Sequence, residues 1–167
     1  ADGRIKPIST IRQPDLPLPI GISDYRLAST EYYYIDKSMM IKDFLDERTM
    51  VSLFTRPRRF GKTLNMSMLE QFFSIEYAGR GELFERLSIW QEEKYRTLQG
   101  TYPVISLSFA SIKETNYITT REKICQVLTN LYVKYSYLKE SEVLTDTDRR
   151  YFDRILAEDY DECDASL

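Results

Sequence analysis

Apolar residues recur at helical spacing over most of this chain and bunch or alternate at strand spacing in two short segments, and that contrast predicts the order of its elements. Residues 1–19 hold Pro7, Pro14, Pro17 and Pro19 among few apolar side chains and read as an extended arm, so the globular part is expected over 20–167. Ile20 to Ile35 shows no sustained period and reads as a short irregular segment. After Asp36, a residue suited to capping, Met39, Met40, Ile41, Phe44 and Leu45 share one side of a helix that ends near Glu47. Met50 to Phe54 has strand character. The next helix, near Lys62 to Tyr77, carries the stripe Leu64, Met68, Leu69, Phe72 and Phe73 until Gly79 and Gly81 break it. A shorter helical stretch near Glu82 to Leu87 leads through Trp90 and Leu98 to a second strand, Val104 to Phe109, introduced by Pro103. Ile118, Ile124, Val127, Leu128 and Leu131 mark a long helix near Tyr117 to Leu138, and a last helix spans about Asp146 to Glu158 with Thr145 or Asp146 as its cap.

Strands alternating with helices predict an α/β fold, a parallel sheet with helices on its faces. Two strands are fewer than the roughly five of a complete sheet of this kind, so the predicted sheet is partial.

Between the first strand and the helix after it lies Thr55-Arg56-Pro57-Arg58-Arg59-Phe60-Gly61-Lys62-Thr63. A strand feeding a tight loop feeding a helix N-terminus aims several backbone N–H groups at one point, which suits an anion. The usual phosphate-binding loop, the Walker A pattern, runs Gly, four residues, then Gly-Lys-Ser/Thr. Here the length and the Gly-Lys-Thr ending are kept, and Arg56 stands where the first Gly belongs. Gly61, without a Cβ, lets backbone approach a phosphate. Lys62 would set its ammonium against the β- and γ-phosphates of ATP, and the Thr63 hydroxyl would complete the shell of a Mg²⁺ that keeps most of its waters. The candidate nucleotide-binding set is therefore Arg58, Arg59, Phe60, Gly61, Lys62, Thr63 and Leu64, with Thr63 also the candidate metal ligand. Arg56, Arg58 and Arg59 have two open readings, contacts to phosphate or a partner and salt links to neighbouring carboxylates. By position, Arg59 lies nearest the phosphate cradle and Arg56 is expected to point away from it.

These residues also carry a resemblance. Leu18-Pro19-Ile20-Gly21-Ile22-Ser23-Asp24-Tyr25, Tyr33-Tyr34-Ile35-Asp36-Lys37-Ser38 and Leu53 through Asn65, with Met68 to Phe73 and Tyr102 to Phe109, resemble the AAA-ATPase-like family of bacterial and archaeal proteins from roughly Leu16 onward. In that family an Arg at the first loop position is the rule, so Arg56 fits. The resemblance implies a partial P-loop NTPase fold, with ATP and Mg²⁺ as cofactors. It also implies a parent chain in which such an ATPase domain precedes a domain resembling PD-(D/E)XK nucleases. In related hydrolases the segment before the first strand borders adenine and ribose, so Tyr34, Ile35 and Asp36 form a candidate base pocket. The alternative is structural: Asp36 caps the next helix while Tyr34 and Ile35 pack in the core.

Composition narrows the classes. The 167 residues suit one domain able to bury a core. The chain has no His and only two Cys, Cys125 and Cys163, so zinc sites and His-based triads within it are excluded. No apolar run approaches the roughly 20 residues of a membrane span, and no signal peptide pattern is present, so a cytoplasmic protein is expected. Thirteen Tyr and eight Phe lie mostly in periodic segments, where core packing explains them better than base stacking. The net charge of −3 argues against direct nucleic-acid binding by this part. Its distribution is uneven, since residues 139–167 hold ten acidic against four basic side chains and the chain before them is mildly basic. A solvated helix and loop account for that tail.

Hydrolysis needs more than a phosphate cradle. Phosphate-loop hydrolases hold Mg²⁺ with an Asp at the end of an apolar strand, commonly followed by a Glu that activates water. Val104 to Phe109 ends in Phe109-Ala110, and Asp159, Asp161, Glu162 and Asp164 follow a helical pattern instead of a strand. The resemblance puts the missing element, an apolar run ending in Asp-Glu, beyond the last helix here. The lack of an initiating Met adds to the expectation that the chain is an N-terminal piece of a longer ATPase, able to bind nucleotide and dependent on later residues for turnover. The competing expectation is an interaction or scaffold domain that keeps a phosphate-loop shape without turnover and regulates an attached nuclease-like domain.

Overall fold

The computed structural model of the chain describes residues 16–55, 57 and 60–158, and it has helices at four of the stretches where apolar side chains repeat at helical spacing, while the stretch near Glu82 to Leu87 forms only a 3₁₀ turn and further turns. The chain divides after Ile105 into two compact units. The first holds α1 (Tyr25–Glu31), α2 (Met39–Glu47), α3 (Lys62–Phe73) and the one-turn α4 (Glu93–Arg96), with 3₁₀ turns at Ile75–Tyr77, Gly81–Leu83 and Ser88–Gln91. The second holds α5 (Tyr117–Lys134) and α6 (Asp146–Leu156), with a 3₁₀ turn at Ser136–Glu140.

The parallel sheet expected from the sequence is absent among the described residues. Their one β-type pairing is an isolated parallel bridge between Ser74 and Tyr102. Residues 51–55 and 103–109 have no regular secondary structure and form no ladder. The reason lies beside them: a strand needs a neighbour to take its N–H and C=O groups and to cover its apolar side chains. Met50, Val51 and Leu53 are more than four-fifths exposed, and Ile105, Leu107 and Phe109 are also exposed. Strand-like composition without a partner forms no strand. The predicted α/β P-loop fold with a parallel sheet is therefore replaced by a helical architecture.

Seven-residue α1 lies in the segment read as irregular. Asp24 caps it, its Oδ1 accepting from the Leu27 N–H at 2.8 Å, and only Tyr25 and Ala28 are buried, too few to print a stripe. Tyr25 anchors the core of the first unit. Its ring stacks on Phe84 at 5.0 Å between centroids, Phe84 meets Phe72 edge-on at 5.1 Å, and the Tyr25 hydroxyl donates to the Leu83 carbonyl at 2.8 Å. Around these pack Ile41 of α2, Met68, Leu69 and Phe73 of α3, and Leu87, Ile89 and Tyr95.

The chain after α4 closes the end of α3. Gly100 N–H donates to the Phe72 carbonyl at 2.8 Å and Tyr102 N–H to the Phe73 carbonyl at 2.9 Å, which satisfies carbonyls that a helix end leaves open. Gly100 is left-handed, at φ 68°, and a Cβ there would stand 2.5 Å from the Ala78 Cα. Nearby, Gly81 faces Trp90 so closely that a Cβ would stand 2.4 Å from the indole.

In the second unit Cys125 and Ile155 form a small core with Tyr132 and Tyr151. Thr145 caps α6 in a capping box with Asp148. The Arg149 guanidinium donates to the carbonyls of Lys139 and Ser141, and Lys139 pairs with Asp153, which ties the connecting turn to α6.

Candidate functional site

Helix α3 begins at Lys62 because Gly61 stands before it in the left-handed region, at φ 73°, a conformation that favours glycine. No side chain caps this terminus. The first intrahelical bond runs from the Asn65 N–H to the Gly61 carbonyl at 2.9 Å. The Lys62 ammonium folds back to donate to the Pro57 carbonyl at 3.3 Å, within the loop that leads into the helix. Of the remaining predicted loop residues, Phe60 and Thr63 are exposed, while the Leu64 side chain turns to the core. Arg56, Arg58 and Arg59 lie outside the described residues, as do Asp159, Asp161, Glu162 and Asp164.

Two open cavities flank this corner. The larger, of about 910 Å³, has Gly61, Lys62 and Thr63 on one side and Pro19, Ile20, Tyr34 and Ile35 on another. The smaller, of about 750 Å³, runs along α2 past Phe44, Glu47 and Phe54. Lys37, Phe60, Lys62 and Asn65 line both. The larger volume lies in the range of small-molecule and cofactor sites, and its mixture of apolar walls with a few polar groups is typical of them. Among its described lining residues there is no carboxylate. Among all described residues, no group of three or more His, Cys, Asp or Glu side chains could hold a metal ion.

The predicted base-pocket residues separate in role. Tyr34 and Ile35 line the larger cavity, whereas Asp36 does not. Tyr34 packs edge-on against Tyr25 at 5.4 Å, and its hydroxyl points to the Met68 sulfur at 3.3 Å. Burial first, then the charge of Asp36, push the Tyr34 phenol well above its ordinary range, so it stays neutral. The Asp36 carboxylate accepts from the Ser38 N–H at 2.8 Å through one oxygen, and from the Ser88 N–H at 2.8 Å and hydroxyl at 2.7 Å through the other. Burial raises its carboxyl and these hydrogen bonds outweigh that effect, leaving it below the usual carboxylate range. Ser38, not Asp36, is the residue that precedes α2 as its cap, and the buried Ser38 hydroxyl accepts from the Ile89 N–H at 3.1 Å.

The sequence reading gave no site role to Lys37, Asn65 or the wall at Pro19 and Ile20. The available signal was the turn at Gly21, which stands at φ 79° in the stretch that carries the resemblance.

A family profile described as "Predicted AAA-ATPase" matches residues 19–164. An "Uncharacterized protein in vnfD 5'region" from Azotobacter chroococcum mcd 1 is 31% identical over 114 residues, which is 67% of this chain and 20% of that protein. The chain thus aligns with about a fifth of the length of the curated relative it matches. No solved structure matches the chain. Among the described residues no helix is long and apolar enough to cross a membrane. With nearly its whole length, including the loop at Gly61 and the cavity walls on either side, inside the matched span, the chain belongs to the AAA-ATPase-like family.

Proposed function

We propose that this chain binds Mg-ATP at the Gly61 corner of α3. The observation that carries the reading is the cavity that has Gly61, Lys62 and Thr63 on one side and Ile20, Tyr34 and Ile35 on another. An uncapped helix start offers backbone N–H groups and partial positive charge to the phosphates. The apolar side chains across from it offer a surface to the base. Lys62 reaches the phosphates by exchanging its bond to the Pro57 carbonyl for a charge-assisted one. Thr63 would supply a protein oxygen to a magnesium that accompanies the nucleotide. When bound, the metal would offset phosphate charge. Arg58 and Arg59, next to this corner in sequence, add to the positive field.

Turnover calls for a carboxylate at the metal, and the described lining of this cavity supplies none. Binding without efficient hydrolysis is therefore the function we assign to this chain, with an ATPase activity in the parent that draws on further residues. A cytoplasmic parent that uses nucleotide state to control an attached nuclease-like domain follows the same line. A module that holds nucleotide purely as a conformational signal, with no turnover at all, is the second reading, and the absence of a carboxylate among the described lining residues favours it.

Calorimetry with ATP and ADP on the native chain and on Lys62→Ala tests the assignment. The expected loss is about 2 kcal/mol or more, the scale of a charge-assisted contact. Equal affinities would remove Lys62 from the site. Phosphate release by the native chain should be no faster than by Lys62→Ala, and steady Lys62-dependent turnover would show an acid at work.

A further inference from the structure

Lys37 stands between two anchored residues. Asp36 before it is tied to Ser38 and Ser88, and Ser38 after it is fully buried with its hydroxyl bonded to Ile89. The exposed Lys37 side chain thus starts from a fixed stretch of backbone. Its ammonium lies 3.8 Å from where a Cβ on Gly61 would be. Lys37 and Lys62 line the same two cavities, one from the start of α2 and one from the start of α3. Two of the other described ammonium groups have carboxylate partners, Lys94 with Asp46 and Lys139 with Asp153. The Lys37 ammonium has no hydrogen bond or ion pair among the described residues.

Two ammonium groups that line the same cavities repel each other unless an anion lies between them. We propose that Lys37 is a second phosphate-contacting cation, set across the Gly61 corner from Lys62, and that the pair selects a polyphosphate over a single phosphate or an uncharged nucleoside. This rests on the nucleotide reading above and adds a residue to it. A lysine suits the position because its ammonium is a compact point charge on a flexible stem, able to follow a phosphate chain as the loop adjusts.

Binding of Mg-ATP, inorganic tripolyphosphate and adenosine by the native chain, Lys37→Ala, Lys37→Arg and Lys62→Ala tests this, with a melting curve for each. Lys37→Ala should bind Mg-ATP and tripolyphosphate at least tenfold more weakly, bind adenosine as the native chain does, and melt with it. Lys37→Arg should recover most of the loss. If Lys37→Ala keeps native affinity for tripolyphosphate while Lys62→Ala loses it, the second cation is refuted and the nucleotide site stands. If adenosine binding falls as much as ATP binding, Lys37 serves the cavity wall and the proposal fails. If the native chain binds neither ATP nor tripolyphosphate, the nucleotide reading and this proposal fall together.

Discussion

Asp36 holds its place through hydrogen bonds on both carboxylate oxygens, and two of its donors belong to a residue 52 positions further along the chain. Asp36→Asn keeps the shape and turns one acceptor into a donor, so an N–H must face the Ser38 N–H or the Ser88 pair. The expected cost is about 2 kcal/mol, read by urea or thermal melts at neutral pH. Because the folded-state carboxyl is lowered, its contribution is complete above the unfolded value of about 3.9 and is lost as pH falls through the lower folded value. The native and Asp36→Asn stabilities should therefore converge at the acid end of the profile. A variant that melts like the native chain but loses ATP would instead put this carboxylate at the base. The candidate site was legible in sequence where it is local: Gly61-Lys62-Thr63 is one contiguous string whose spacing suits an anion. Ser88, Lys37 and Ile20 carry no such mark. They acquire meaning only through neighbours brought up by folding, which a reading along the chain does not see.

Helix α3 depends for its ending on residues far beyond its own last turn. Its final carbonyls are closed by Gly100 and Tyr102, and that crossing is possible because position 100 has no side chain. A Cβ there meets both a left-handed backbone and the Ala78 Cα. Gly100→Ala should cost at least about 2 kcal/mol, from the left-handed penalty and the displaced contact together. Thermal melts check the loss, and Ala at the exposed Gly79, also left-handed but with open space around it, separates the backbone share from the steric one. The helices α2, α3, α5 and α6 were legible because a buried face prints a period into the sequence. Helix α1 was not, since two turns bury too little to repeat. The two segments read as strands were misjudged for a different reason. Val51, Leu53, Ile105 and Leu107 have the composition of a strand, but strand identity is conferred by the chain alongside, and no described segment lies there to confer it.

At the scale of the molecule, the two units differ in how much they enclose. The first buries a continuous aromatic and aliphatic cluster from Tyr25 to Tyr95. The second relies on Cys125 and Ile155 with partly covered tyrosines, plus caps and surface pairs that contribute little each. Rising urea should therefore melt α5 and α6 first, and the far-ultraviolet helix signal should fall in two steps instead of one. A single sharp transition would contradict this ordering. The close approach of Trp90 to Gly81 supplies the complementary measurement. Trp90 is the chain's sole tryptophan, so indole emission arises entirely within the first unit. The chain carries a built-in optical label that should remain silent through the first step and shift its colour only in the second.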